Sequence, residues 1–497
     1  MQRDLGMLAG PVHDLLVVGG GIHGACLAWD AVLRGLKVAL VERDDFGAAT
    51  SANSLRIVHG GLRYLARGDL LRMRESTQER STLLRIAPGL VEPLPVLVPT
   101  RGVGTHSRLA LGVALALNDL GSAGRNRGLP VERRIPAGRV LSAREALRRL
   151  PALEGTTMTG AALWYDARIR RPERLTLSFV RSAADRGAVV ANYVQVERLL
   201  TLGGAIAGVD VTDSRTGSRF QIHARAVVLA AGPWTDSLLT GPTSAPQALA
   251  LNIVVGRRLA DMALGVKSGT GPADDPVIGG HRFLFLAPQD GATLLGTWYA
   301  VDDGSDPRPK VEQGTAALLA EFNAACPGLA LSPGDVARVQ WGRLPLKAGR
   351  EPGRHDALAD RPRIRDHGRE GVRHLFSVEG VKYTTARRVA ARALDRILED
   401  LGVADPGCRT AATPLTGAYD VPPDDPQLET RIREAVRNEM ALTLGDVVFR
   451  RTGLGEAPGP DRGAVRAAAR IAARELGWDP VRESAEVEDV MRQEVLA

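Results

Sequence analysis

The spacing of apolar and polar positions changes period along the chain, and each change marks an element. Leu15 to Val18 is a short continuous apolar run, which predicts a strand buried on both faces. Lys37 to Val41 is a second such run, with a helical stretch between the two. Leu109 to Leu117, LALGVALAL, reads as a short buried helix, with a monotopic membrane contact as the alternative. Ser142 and Glu145 fit a capping box at the start of another short helix. From Ala188 to Ala230 the alternation predicts strands, with turns at Leu202-Gly203-Gly204 and Arg215-Thr216-Gly217. Residues 250 to 300 carry LNIVVGRRL, HRFLFLAP and ATLLGTWYA, strand formers that predict an antiparallel sheet. Phe376 to Thr385 reads as a strand, a glycine and a helix start. Thr413 to Gln427, TPLTGAYDVPPDDPQ, then reads as a proline-rich linker, and Gln427 to Ala497 as three or four amphipathic helices.

Between the first two apolar runs, Gly19, Gly21 and Gly24 supply G-x-G-x-x-G as the helix begins. Gly19 permits the tight turn, Gly21 lets the backbone approach a pyrophosphate, and Gly24 lets the helix pack close to the strand. Free N–H groups at the helix start suit phosphate oxygens. Glu42 closes the second strand where a ribose 2′-hydroxyl needs an acceptor, which argues against NADP. This unit predicts one bound dinucleotide and does not say which. GGAIAG at 203 to 208 has Ala205 in its third position and falls in a hairpin, so no second full fingerprint exists. That disfavours the pyridine-nucleotide disulfide reductases.

The 497 residues suffice for two or three domains, and with aromatics at 4% the core must be mainly aliphatic. A net charge of +7, carried mainly by arginine, invites an anionic partner. The basic residues are scattered without stacking aromatics, which excludes a nucleic-acid reading. Cys26, Cys326 and Cys408 are far apart, so no disulfide framework or metal site is expected and a cytoplasmic setting is the default. No signal-peptide pattern and no spanning apolar run are read.

After Glu42 come the hydroxyl residues Thr50, Ser51 and Ser54, then His59-Gly60-Gly61 followed by Arg63 and Tyr64. The glycine-rich start, this segment and HGGLRYL resemble the FAD-dependent glycerol-3-phosphate dehydrogenases, within the wider D-amino-acid-oxidase-like flavoproteins. Trp164 to Arg168, Ala231-Gly232-Pro233-Trp234, FSVEGVKYTT and NEMALTLGDVVFRRTGLG resemble further segments of that family. The resemblance implies FAD as cofactor. It assigns the phosphate turn to Gly19, Gly21, Ile22, His23 and Gly24, and the ribose end to Glu42, Arg43, Val194, Ala231 and Gly232. The flavin side falls to Thr50, Ser51, Ser54, His59, Gly60 and Gly61, and to Gly380, Val381, Lys382, Tyr383 and Thr384. Arg63 and Tyr64 are implied to face the substrate, and Lys382, with a helix N-terminus, to stabilise reduced flavin. Asp166 and Arg168 have a site role and a surface ion pair as equal alternatives.

The match departs in three places. Asn252 to Arg257 stand where the family has a histidine in K-G-S-H, and Gly296-Thr297-Trp298-Tyr299 where it has G-T-T-D. In Trp341 to Leu346 the substrate arginine arrives one place early, as Arg343. A one-residue shift in a strand turns the side chain to the other face, and a bulge in the backbone would let Arg343 still reach the anion.

The expected fold is α/β: a Rossmann-like doubly wound FAD domain (1–100, 151–240 and 335–405), an antiparallel substrate domain (101–150 and 241–334) and a helical C-terminal domain (410–497). The resemblance implies hydride transfer from a CH–OH carbon of glycerol 3-phosphate or a related small anionic substrate to flavin N5, with a quinone as acceptor. It leaves room for a homodimer and for a peripheral contact on the inner face of the cell membrane. The competing readings are an amine or amino-acid oxidase using O₂, and a flavin-binding protein with a degraded pocket.

Overall fold

The computed structural model describes all residues except 63–67, 103, 105–106, 241–246, 269–281, 349–354, 360, 423, 457–458 and 497. The first apolar run is the strand Val12–Val18, parallel to Val38–Val41 on one side and to Arg219–Leu229 on the other. Leu15 to Val18 are buried, as a strand covered on both faces requires. Among the described residues the sheet has eight strands. Its order is Arg363–Asp366, Leu375–Glu379, Arg219–Leu229, Val12–Val18, Val38–Val41, Val189–Ala191, with the hairpin Val194–Leu202 and Ala205–Asp213 joined at Arg219–Leu229. GGAIAG forms the turn and second arm of that hairpin, as its pattern implied.

Helices Ile22–Leu33, Pro172–Ala184 and Ala386–Leu401 pack together on one face, around Leu27, Phe179 and Leu394. Gly24 lets the first of these helices pack close to the first strand and its turn: a Cβ there would stand 1.9 Å from the Gly19 carbonyl oxygen.

The second sheet has ten described strands. Val91–Thr100 and Gly160–Ile169 pair antiparallel along their full length, and Gln247–Val255 lies between Thr293–Asp302 and Val336–Ala348. The strands Val91–Thr100, Gly160–Ile169 and Val336–Ala348 belong to this second sheet, although they fall in the chain segments 1–100, 151–240 and 335–405 expected to form the nucleotide-binding domain. Segment order could not reveal that, because these strands pair with partners remote in sequence.

Two further expectations are corrected. The helix Arg108–Gly121 buries Leu115 and Asn118 but exposes Leu109, Val113, Leu117 and Leu120, so the apolar run is not a buried helix. The proline-rich stretch is anchored: Leu415 is buried, and Asp420 pairs with Arg170 and Arg171. Beyond it Leu428–Glu439, the π-helical turn Asp446–Arg451, Arg462–Leu476 and Pro480–Leu496 pack around Leu444, Val448 and Val465. Among the described residues no helix is long and apolar enough to cross a membrane.

Candidate active site

A cleft of about 460 Å³ opens between the two sheets, beyond the C-terminal ends of the parallel strands, where open α/β sheets bind ligands. Gly19, Gly21, Ile22 and His23 form its floor. Gly19 has φ +107°, and a Cβ on it would lie 2.6 Å from the Ala230 carbonyl oxygen, so only glycine fits the turn. Gly21 has no side chain to cap the following helix. Ser51 Oγ instead accepts from the Ile22 amide at 3.0 Å.

Glu42 lines the cleft with both oxygens engaged, Oε2 by the Gly20 amide (2.6 Å) and Oε1 by the Asp44 amide (3.0 Å). Burial raises its pKa, against the pull of those two amides. Each carboxylate oxygen keeps a second lone pair, so a ribose hydroxyl can still donate to it. The Arg43 guanidinium lies 3.9 Å over the Trp234 ring, beside Val194, Ala231 and Gly232.

His23 marks where this wall meets the opposite end. Its ring lies against Gly380, where a Cβ would fall 1.8 Å from Cε1, and its buried Nε2 has no hydrogen-bond partner among the described residues. Desolvation pulls its pKa from 6.5 to about 4, so the ring is neutral at pH 7. Val381, Lys382 and Tyr383 continue the wall, with the Tyr383 hydroxyl donating to the Pro172 carbonyl at 2.7 Å. Thr384 is not among the residues that line the cleft.

The hydroxyl loop lines the cleft and also ties the two sheets together. Thr50 Oγ1 donates to the Arg343 carbonyl (3.2 Å), and Asn53 Nδ2 donates to the Trp341 carbonyl (2.9 Å). Ser54 lines the same wall. On the antiparallel side, Asn252 Oδ1 accepts from Thr297 Oγ1 at 2.7 Å, with Tyr299 nearby on the same wall.

Several assigned residues behave differently. His59, Gly60 and Gly61 stand off the cleft. Asp166 accepts from the Gly60 amide (2.7 Å) and holds His59 Nδ1 (3.1 Å) and Arg80 Nη1 (3.2 Å). A Cβ on Gly60 would meet Arg80 at 2.0 Å, and Gly61 has φ +90°, so these glycines serve packing against the helix Leu70–Ile86. Gly24 likewise packs the helix and meets no cleft space. Arg168 pairs with Glu92 and not with Asp166. Arg343 lines the cleft, but its strand runs without a bulge there and its Nε pairs with Asp302 Oδ2 at 2.5 Å. Arg63 and Tyr64 lie outside the described residues. Asp45, Asn53, Gln247 and Trp234 also line the cleft; of these only Trp234, in its A-G-P-W segment, carries a local signal in the sequence.

The donor set fits a dinucleotide: a glycine cradle that a Cβ would fill, an acid at the ribose end, and an unpartnered buried imidazole nitrogen between the two ends. A mainly parallel sheet with this turn, facing a mainly antiparallel sheet across a shared cleft, is an arrangement suited to a dinucleotide-dependent oxidoreductase. Residues 14–395 match the family described as FAD dependent oxidoreductase, and 412–483 match the C-terminal domain of alpha-glycerophosphate oxidase. The chain belongs to this family, and within it to the FAD-dependent glycerol-3-phosphate dehydrogenases.

It is 31% identical over 439 residues to the glycerol-3-phosphate dehydrogenase of Synechocystis, covering 85% of this chain and 76% of that one. To glycerol-3-phosphate dehydrogenase 1 of Mycobacterium tuberculosis it is 35% identical over 434 residues, covering 84% and 79%. The human mitochondrial glycerol-3-phosphate dehydrogenase is 30% identical over 462 residues, but the chain spans only 60% of its length. The fold is shared with the FAD complex of the Bacillus halodurans glycerol-3-phosphate dehydrogenase (TM-score 0.72, 24% identity, 99% of this chain and 96% of that one). It is also shared with a Bacillus cereus glycine oxidase (TM-score 0.52, 16% identity, 78% and 95%), so fold alone does not choose the substrate.

Proposed function

We propose that the chain oxidises a CH–OH carbon of glycerol 3-phosphate or a related small anionic substrate, with FAD in the cleft and a quinone as acceptor. The observation that carries this reading is the cleft itself, with the glycine turn at one end and the Gly380–Lys382 turn at the other, in a chain so similar to glycerol-3-phosphate dehydrogenases. FAD, when bound, supplies the hydride acceptor. Gly19, Gly21 and the helix start at Ile22 would hold the diphosphate, and Glu42 a ribose hydroxyl. Lys382 would place a positive charge at the ring end, and Thr50, Ser51 and Ser54 would line the ribityl side. Arg63 and Tyr64 would meet the substrate, as the family pattern implies. Asn252 and Thr297 would orient a substrate hydroxyl by hydrogen bonding, because a neutral amide takes up no proton at pH 7.

Anaerobic addition of glycerol 3-phosphate should bleach the flavin absorbance, and a quinone analogue should restore it. Bleaching by amino acids with peroxide formation in air would overturn this reading. Arg343 paired with Asp302, and an amide at Asn252, favour one second reading, a flavin-binding protein with an inactive pocket. Flavin reduced by dithionite and by no candidate substrate would establish that alternative.

Contact with a membrane fits the helix Arg108–Gly121. Leu109 and Leu120 are 79% and 74% exposed, and with Val113 and Leu117 they recur at helical spacing along one face. An apolar stripe on a chain of net charge +7 suits an anionic bilayer surface. Sedimentation with anionic vesicles should be lost in a Leu109→Glu, Leu120→Glu double variant. Equal sedimentation of the two proteins would refute the contact.

A further inference from the structure

The loop that follows Glu42 is held from outside the nucleotide-binding unit. Asp45 lines the cleft, but its carboxylate is buried against the C-terminal domain. Arg451 forms a bidentate pair with it (Nη1–Oδ2 2.7 Å, Nη2–Oδ1 2.8 Å), and both side chains are fully buried. Arg450 Nε donates to Oδ2 at 2.6 Å, and Asn192 Nδ2 donates to Oδ1 at 2.9 Å. Burial opposes ionisation of Asp45, but the two guanidinium groups outweigh it and hold the carboxyl well below the usual carboxylate range. Arg450 is held in turn by Asp446 (2.5 Å), which also accepts from the Tyr193 hydroxyl (2.7 Å). The Tyr193 amide donates to the Asp44 carbonyl at 3.0 Å.

The next two residues reach the phosphate turn. Phe46 is fully buried over Gly20, where a Cβ would lie 2.6 Å from Phe46 Cδ1. The Gly47 amide donates to the Gly20 carbonyl at 3.0 Å, while the Gly20 amide is held by Glu42. Asp45-Phe46-Gly47 thus joins two arginines of the C-terminal domain to the middle of the glycine turn.

We infer that Arg450 and Arg451 are positioning residues for the dinucleotide: the docked C-terminal domain sets the 42–48 loop and through it the glycine turn, so domain docking and FAD affinity are coupled. The inference rests on the reading of the cleft as an FAD site. If the clamp is released, a buried carboxylate loses its cations and moves toward water. Phe46 and Gly47 then leave Gly20, and FAD binding must reorder the loop at a cost in affinity. By linkage, FAD must stabilise the docked state of the C-terminal domain to the same extent.

Apoprotein is titrated with FAD, following quenching of flavin fluorescence, for the wild type, Arg450→Gln, Asp45→Asn and, as a control, Arg437→Gln. Arg437 pairs with Glu475 on the exposed face of the same domain. Arg450→Gln and Asp45→Asn should weaken FAD binding by about tenfold or more, within the usual range of coupling between sites. Activity of Arg450→Gln should recover as FAD is raised to saturation, and Arg437→Gln should bind as the wild type does. In the wild type, FAD should slow amide exchange across residues 446–455, most of which lie away from the cleft. A folded Arg450→Gln protein with unchanged FAD affinity overturns the inference. So does FAD-independent exchange at 446–455, which decides the matter even if the variants do not fold. Wild-type protein that takes up no FAD removes the cofactor reading first, and the inference with it.

Discussion

At the scale of single residues, the contact between His23 and Gly380 joins the two ends of the cleft. A methyl group at Gly380 has no room beside the imidazole. Gly380→Ala should cost about 1–3 kcal/mol of stability, the usual range for overpacking. The same change should weaken FAD binding in a fluorescence titration. Adding His23→Ala should recover much of both losses, because the two sites share one contact. His23 also gives a pH signature. Its folded pKa is depressed to about 4 from 6.5, so as pH falls the unfolded chain takes up this proton first. The His23 contribution to stability should therefore decline between about pH 6.5 and 4 and level off below. Urea midpoints measured against pH should lose that component in His23→Asn.

Arg343 and the His59-Gly60-Gly61 segment show the limits of single-residue reading. Arg343 carries the right charge near the right place, yet Asp302, 41 residues away, pairs with it. The glycine pair resembles a ligand-facing turn, but Arg80 and the backbone of Met73 fill the space that a side chain would need. Both outcomes depend on residues that no local motif contains.

At the scale of elements, the parallel strands and glycine turn were legible because each is specified locally. A continuous apolar run of strand length, three glycines at fixed spacing and a closing acid lie within one stretch of chain. The hairpin at 203–208 and the capping box at Ser142 were legible for the same reason. The helix Arg108–Gly121 was misread because composition says that a face is apolar and says nothing of what covers it. The segment 413–427 was misread because its anchors, Arg170 and Arg171, lie far upstream.

Packing between elements also sets where charge matters. Glu439 of the helix Leu428–Glu439 is buried with Arg174 (2.7 Å) and Arg181 (2.9 Å) of the helix Pro172–Ala184. Removing one partner of a buried pair leaves an uncompensated charge. Glu439→Ala should lower stability by about 3–5 kcal/mol in urea unfolding, the usual cost of breaking such a pair. Arg437→Ala, at the exposed Glu475 pair, should change it little.

At the scale of the whole molecule, the C-terminal domain is joined to the rest through buried ion pairs as well as apolar packing. Glu456 accepts from Arg56 and from Arg171, which flank the paired strands Ile57–Val58 and Gly160–Ile169 at one edge of the second sheet. Burial raises its pKa, but Arg56, Arg171 and Arg338 outweigh this and hold it below the ordinary 4.5. A depressed folded pKa contributes stability that is present above the ordinary value and is lost as pH falls below it. Limited proteolysis should therefore find the segment around residues 413–427 more readily cut as pH drops below 4.5. Glu456→Gln should show that sensitivity already at neutral pH.

The order of residues alone determined the elements whose causes are local: the first strand, the glycine turn, the acid at Glu42, the Gly380–Lys382 turn and the amphipathic C-terminal helices. Family membership was legible from these motifs as well. Only the tertiary structure decided which sheet the long strands join, which of the candidate groups face the cleft, and that Asp45 answers to Arg450 and Arg451 some 400 residues away. The physical reason is range: backbone preference and side-chain period act over a few residues. Burial, ion pairing and the space left for a Cβ depend on whatever the folded chain brings into contact.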